Sequence, residues 1–213
     1  AWVSIMYGCD NYCTYCVVPY TRGRERSRPS EEVLSEVRRL AEEGYKEVNL
    51  IGQNVNSYGL EEGIDFPGLL RLTNDIHGLE RIRFITSHPK DLSDRLITAM
   101  AELSKVCEHI HLPLQSGSDG ILERMNRGYT FSEYKAKVEK LRRLIPDISV
   151  TTDIIVGFPG EGDKDFEDTL KALREIGYDS IFAFKYSRRP NTAAADFEDQ
   201  IPEEIKQERL QRL

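Results

Sequence analysis

The sequence predicts a parallel α/β fold, an open (β/α)6 partial barrel of the TIM type. Three observations lead there. Strand-like and helix-like stretches alternate six times, and such alternation gives parallel strands joined by right-handed helical crossovers. Six units are fewer than the eight that a closed barrel needs. Each strand also runs, at its C-terminal end, into a polar or Gly-rich stretch, the end at which parallel α/β folds build their sites. Turns after strands are generally polar, so this last regularity is partly what any such fold shows.

The elements follow in order. Residues 3–6 read as the first strand and run into a loop containing Cys9, Cys13 and Cys16. Ser30 is a good N-cap, and Glu31 and Glu32 suit the positive first turn of the helix it would open. Val33, Leu34, Val37 and Leu40 recur on one face, and Gly44 closes the helix. Residues 47–51 form the second strand, followed by Gly52-Gln53-Asn54. A loop through Gly63 leads to a helix carrying Leu69, Leu70 and Ile76. The third strand, residues 82–86, precedes Ser87-His88-Pro89; the next helix carries Leu92, Leu96, Ile97 and Met100. The fourth strand, residues 109–114, precedes Gln115-Ser116-Gly117. A short helix over 119–125 and a longer one over 132–144, stopped by Pro146, come next. The fifth strand, residues 149–156, enters Gly157-Phe158-Pro159-Gly160-Glu161. Its helix packs Phe166, Leu170 and Leu173 and ends at Gly177. The sixth strand, residues 180–186, enters Ser187-Arg188-Arg189, and 203–213 are helical. Trp2 and most Tyr and Phe residues read as core. Both ends look cut, so the expectation is one domain, residues 1–213, taken from a longer protein.

The loop after the first strand carries the chemistry. Cys9, Cys13 and Cys16 stand at Cys-x3-Cys-x2-Cys spacing, close enough for three sulfurs to turn onto one centre. Thiolates suit zinc or iron–sulfur clusters. A closed zinc site needs four protein ligands, and no fourth Cys or His lies nearby. A [4Fe–4S] cluster held by three cysteines keeps one iron open for a non-protein ligand. Cys107 reads as an inert core thiol. His109 and His111 share a strand face, where a hydrogen-bonded role is commoner than metal binding.

A hydrophobic content of 39% against 31% charged places the chain among soluble globular proteins. No apolar run approaches the roughly 20 residues of a membrane span, and no signal peptide opens the chain. Four cysteines, three of them in one loop, do not form a disulfide framework; the expected compartment is the reducing cytoplasm. A net charge of −7 argues against a general nucleic-acid-binding surface. The local exception is Arg22, Arg24, Arg26 and Arg28 beside the cysteine loop, readable either as a solvated loop or as phosphate contacts.

The cysteine spacing, with Tyr15 just before the last cysteine, resembles the radical SAM superfamily. The longer strings GCDNYCTYCVVPYTRGRERSR (residues 8–28), GQNVNSYG (52–59) and HLPLQSGSDGILERMNRGYT (111–130) resemble its methylthiotransferase family, in particular the branch that modifies tRNA. The resemblance implies the same open barrel. It also implies a [4Fe–4S] cluster on Cys9, Cys13 and Cys16, whose open iron binds S-adenosylmethionine (SAM). One-electron cleavage of SAM would give methionine and a 5′-deoxyadenosyl radical, used to methylthiolate a prenylated adenosine beside the anticodon. Implied partners are SAM, tRNA in the full-length protein, and an electron donor such as flavodoxin or ferredoxin; no membrane is implied. Full-length family members add an N-terminal domain with a second, auxiliary cluster and a C-terminal RNA-binding domain, so a chain of this extent is expected to cleave SAM only.

The resemblance also implies cofactor contacts. Tyr15 would lie beside the adenine, with simple packing as its alternative. Gly52, Gln53 and Asn54 would meet the methionine amino group, although a carboxylate common there is missing. Gln115, Arg127 and Asp153 match residues that contact SAM, the Arg suiting a carboxylate and the Asp ribose hydroxyls; the alternative is an Arg127–Asp153 pair tying two units together. Gly157 and Gly160 would allow a tight turn under the adenine. Ser116 is a rim candidate, as are Ser87, Glu161 and Tyr186. Rival readings are a methylthiotransferase acting on a ribosomal protein or on threonylcarbamoyl-adenosine and, from another class, a non-catalytic zinc or iron–sulfur module.

Overall fold

Residues 1–59 and 63–213 are described by the computed structural model. Six parallel strands form a curved wall: β1 (Trp2–Ser4), β4 (Glu47–Ile51), β5 (Arg81–Phe84), β6 (His109–His111), β7 (Ser149–Val156) and β8 (Ser180–Lys185). β4 lies between β1 and β5, and β7 between β6 and β8. The two ladders meet where Ile82 bridges Val106 in parallel. No pairing closes β1 onto β8 among the described residues, so the sheet is open, as predicted.

Alternation along the strands sorts the two faces of the wall. Val48 and Leu50 on β4, and Val150, Ile154 and Val156 on β7, are fully buried. They pack with Val33, Leu34 and Val37 of helix α2 (Ser30–Glu42), with Leu69 and Leu70 of α3 (Phe66–Asn74), and with Leu96 and Ile97 of α4 (Asp94–Glu102) in one core. Val138 and Leu141 of α6 (Phe131–Leu144) and Phe166 and Leu170 of α7 (Asp163–Ile176) complete it. The opposite face carries Glu47, Arg81, Arg83, His111 and Asp153, with Glu47 accepting from Arg81 at 2.8 Å and paired with Arg83 at 3.4 Å. Trp2 belongs to this uncovered face and is 65% exposed, and Phe182 and Phe184 are about half exposed. These aromatics are therefore not core. Their strands alternate, and the helices cover only the other side.

Several boundaries differ from expectation for local reasons. The first strand breaks at Ile5. Beyond it Met6–Tyr7 (β2) pairs antiparallel with Arg26–Ser27 (β3), and Arg28 N–H donates to the Ile5 carbonyl at 2.8 Å. A short helix, α1 (Val18–Arg22), opens with Pro19 in its first turn, where a missing N–H costs nothing. Pro29, not Ser30, is the N-cap of α2, and the Ser30 hydroxyl makes no capping bond. The ring of Pro29 already holds the entry residue at φ −51° and ψ 132°. Thr130 caps α6 in a reciprocal box with Glu133. Gly177 ends α7 with φ +62°, the left-handed geometry a glycine adopts without strain. Residues 60–62, in the loop expected before α3, lie outside the described residues. The last helix, α8 (Glu203–Arg212), docks on the β7 exit: buried Arg209 donates to Glu161 Oε1 at 2.8 Å. No helix among the described residues is long and apolar enough to cross a membrane.

Candidate functional site

The cysteine loop is pinned to a second segment about 110 residues away. Thr14 N–H donates to the Met125 carbonyl at 3.0 Å, and its hydroxyl to the Arg124 carbonyl at 2.9 Å. Asn126 Nδ2 reaches the carbonyls of Asn11 and Tyr12 at 3.2 and 3.0 Å. Lys90 Nζ donates to Asn11 Oδ1 at 2.6 Å. Gly8 admits the returning chain: with φ +74°, a Cβ there would sit 2.1 Å from the Arg24 carbonyl oxygen. The segment ending α5 (Asp119–Arg124) and the turn after β5 therefore set the place of the three thiols.

Cys13 is buried, with Cys9 and Cys16 half-buried to either side. Burial pushes the Cys9 and Cys16 thiols up, and Cys13 adds to the push on both. A structural zinc takes four protein ligands, whereas a multi-iron cluster gives each thiolate its own iron. Donors surround the sulfurs. Asn11 Nδ2 donates to Cys9 Sγ at 3.5 Å, Arg127 Nη1 donates to Cys13 Sγ at 3.3 Å, and His88 Nε2 lies 3.9 Å from Cys13 Sγ.

Next to the loop opens a cleft of about 310 Å³, lined by Tyr15, Gln115, Asp153, Phe184 and Tyr186. Tyr15 packs edge-on against Phe158, and its hydroxyl accepts from Arg127 Nη1 at 3.3 Å. Arg127 also donates to Tyr129 Oη at 2.9 Å and to the Pro113 carbonyl at 3.1 Å. The Arg127–Asp153 pair considered above is not formed; the partner of Asp153 Oδ2 is His111 Nε2, at 3.3 Å. His111 Nδ1 and His109 Nε2 both meet Thr151 Oγ1, at 3.0 and 3.4 Å, so the histidine pair is a hydrogen-bonded chain leading to Asp153.

The other candidates divide. Asn54 is buried and donates to Asp91 Oδ2 at 2.6 Å, which brings a carboxylate to the exit of β4 where the local sequence has none. Gly52 serves packing: a Cβ would lie 2.3 Å from Met6 Cγ. Ser116 is fully buried, with its hydroxyl against Thr169 Oγ1 at 3.3 Å and accepting from Ser118 N–H at 3.2 Å, so it does not join the cleft. Gly157 N–H donates to Glu161 Oε1 at 2.8 Å; burial pushes that carboxyl up, while Gly157 and Arg209 pull it down. Of the four arginines, Arg28 donates to the Ser4 carbonyl and to Glu36, and Arg24 pairs with Asp10 at 3.2 Å, so they do not form one free basic patch. Cys107 is half-buried rather than core.

Six buried side-chain atoms among the described residues lack a hydrogen-bond partner: Gln53 Oε1, Asn54 Oδ1, Asn56 Oδ1, Ser87 Oγ, Gln115 Oε1 and Tyr186 Oη. All follow the C-terminal ends of β4, β5, β6 or β8. Orphaned polar atoms are costly and rare; gathered at one rim, they make it the candidate place for a ligand. Residues 3–173 match the description of the radical SAM superfamily.

The chain belongs to the radical SAM superfamily.

Curated relatives bear the name tRNA-2-methylthio-N(6)-dimethylallyladenosine synthase. Those of Caldicellulosiruptor saccharolyticus and Finegoldia magna are 61% and 59% identical across the whole chain, which spans 46% of each relative. The chain thus spans about half the length of the curated relatives it matches. Among solved structures, the radical SAM methyltransferase TsrM of Kitasatospora setae, with cobalamin and a [4Fe–4S] cluster bound, aligns with a TM-score of 0.75 at 19% identity. That alignment covers 92% of this chain and 38% of TsrM. Coproporphyrinogen III oxidase of Escherichia coli, a radical SAM enzyme, aligns at 0.73 and 16% identity over 99% of this chain and 50% of its own. At such identities the likeness shows a radical SAM fold shared with this chain. His88, Asp91, Asn56 and Tyr129 also stand at the candidate site without having been assigned from sequence; for His88 and Asp91 the polar turn after the third strand was the available signal.

Proposed function

We propose that the chain is the SAM-cleaving domain of a tRNA methylthiotransferase acting on prenylated adenosine beside the anticodon. The reading rests on one observation: three cysteines in a single pinned loop stand beside a rim that collects the six orphaned buried side-chain atoms. Identity of 59–61% with relatives of that name supports the choice of reaction.

The residues present fit both cofactors. Cys9, Cys13 and Cys16 would hold a [4Fe–4S] cluster, and a fourth protein ligand is not needed. When bound, the cluster and SAM supply the one-electron cleavage that yields methionine and a 5′-deoxyadenosyl radical. The orphaned Gln53, Asn54, Asn56 and Gln115 oxygens are acceptors, and SAM offers donors in its ammonium, ribose hydroxyl and adenine amino groups. Asp153, held by His111, suits the ribose hydroxyls. Tyr15 supplies a ring edge to the cleft. Arg127 sets its positive charge beside Cys13, donating to its Sγ at 3.3 Å. Phe158, fully buried and edge-on to Tyr15 and Tyr186, backs the cleft with apolar surface. An electron donor, tRNA and the reducing cytoplasm belong to the same proposal.

Anaerobic reconstitution with iron and sulfide, followed by reduction with SAM present, tests it. The expected products are 5′-deoxyadenosine and methionine, without methylthiolated tRNA from this chain alone. A colourless, iron-free protein that produces neither product would refute the cluster reading. Methylthiolated tRNA would refute the restriction to SAM cleavage.

A further inference from the structure

We propose that His88 is a neutral hydrogen-bond donor to the sulfur of Cys13 and thereby raises the reduction potential of the cluster. This rests on the cluster reading above.

The tautomer follows from geometry. Lys90 N–H donates to His88 Nδ1 at 3.2 Å. A nitrogen that accepts carries no proton, so the ring proton is on Nε2. That nitrogen lies 3.9 Å from Cys13 Sγ, within the longer reach of a bond to sulfur. The ring has little freedom to leave: it is buried, meets Tyr129 edge-on at 5.8 Å, and follows a backbone whose carbonyl accepts from Asp91 N–H at 3.0 Å. Pro89 fixes the next residue, at the start of the 3-10 turn Pro89–Asp91.

Cys13 differs from its two neighbours in this respect. It is the buried one, and it faces both Arg127 Nη1 at 3.3 Å and His88 Nε2. Hydrogen bonds to cluster sulfurs draw electron density from the iron–sulfur core and favour the reduced state. Arg127 contributes a charge fixed at every working pH. His88 contributes a dipole whose direction is set by the Lys90 N–H behind it. Removing the dipole leaves Cys13 with one donor and makes the cluster harder to reduce.

The test separates this from a structural role. His88→Asn keeps a side-chain acceptor for Lys90 N–H but cannot reach Cys13 Sγ; His88→Gln places a donor near the Nε2 position. Each is reconstituted anaerobically, assayed for iron and sulfide, and titrated with dithionite while the reduced cluster is followed by electron paramagnetic resonance. The Asn variant should show a more negative midpoint than the unaltered chain at equal iron content, with the Gln variant moving back towards it. An independent arm needs no variant: the unaltered chain is labelled with 15N-histidine and its reduced cluster examined by pulsed resonance. Among the described residues, His88 is the one histidine of the four in the sequence that contacts a candidate cluster cysteine, so a 15N coupling is expected. Equal midpoints, or no 15N coupling, would overturn the assignment while leaving the cluster reading intact. If the unaltered chain assembles no cluster, the cluster reading fails and the His88 assignment with it.

Discussion

Arg127 shows how closely the cysteines and the cleft are tied. Its guanidinium donates to Cys13 Sγ, Tyr15 Oη, Tyr129 Oη and the Pro113 carbonyl, leaving a single N–H of the usual five. The resemblance suggested a fork for a carboxylate; the structure shows a cation fixed between a candidate ligand thiol and the cleft. Arg127→Met is expected to weaken cluster retention by about 10–100-fold, read as iron left after competition with a chelator. Asp153 lies on the other side of the cleft and contacts no cysteine. Asp153→Ala should leave iron content unchanged and weaken SAM binding by about 10–100-fold, the loss expected for a charge-assisted hydrogen bond; equilibrium dialysis reads it. Equal SAM affinity in that variant would remove Asp153 from the site. The cysteines were legible because their spacing is local. Asp91 and His88 were not, because both become site residues only when the β5 turn meets the β4 exit and the cysteine loop.

Among the elements, helices α6 and α8 make separate contributions. Thr130→Ala removes the N-cap of α6 and should lower stability by about 1 kcal/mol in denaturant unfolding. The backbone N–H and hydroxyl of Thr130 hold the Glu133 carboxyl below the usual carboxylate range. A folded-state pKa lowered below the unfolded value of about 4.3 gives stability that is present above that pH and lost as pH falls through the folded value. Thr130→Ala should therefore flatten the acid limb of the stability curve. Helix α8 braces the β7 exit through the buried Arg209–Glu161 pair, with 5% and 1% of the side chains exposed. Arg209→Met leaves a buried carboxylate unpaired and is expected to cost about 3–5 kcal/mol. Periodicity located both helices. It could not show that Arg209 points inward, since an arginine in a pattern as polar as residues 203–213 reads as solvated. The β2–β3 ladder was not legible for a related reason, since it is decided by a segment brought back in space; Pro29 displaces Ser30 as the cap through its own ring.

The whole molecule is a wall with one packed face and one charged face. Closed (β/α)8 barrels fill their interior with apolar layers; here Glu47, Arg81, Arg83, His111 and Asp153 line the uncovered side, and Trp2 stands in solvent. The strand–helix order made the wall legible from sequence, but the exposure of Trp2, Phe182 and Phe184 was not, because hydrophobicity alone does not say which face the helices will cover. Without its cluster the loop of residues 8–28 should exchange backbone amide protons faster than with it, since metal binding and local folding are coupled; hydrogen exchange on the two forms checks this. The most direct test of the central claim, three sulfurs holding a cluster with one open iron, is electron paramagnetic resonance of the reduced, anaerobically reconstituted chain before and after SAM. About four irons per chain are expected, with a cubane signal whose g-values shift when SAM is added. A signal indifferent to SAM, or zinc retained in place of iron, would contradict it.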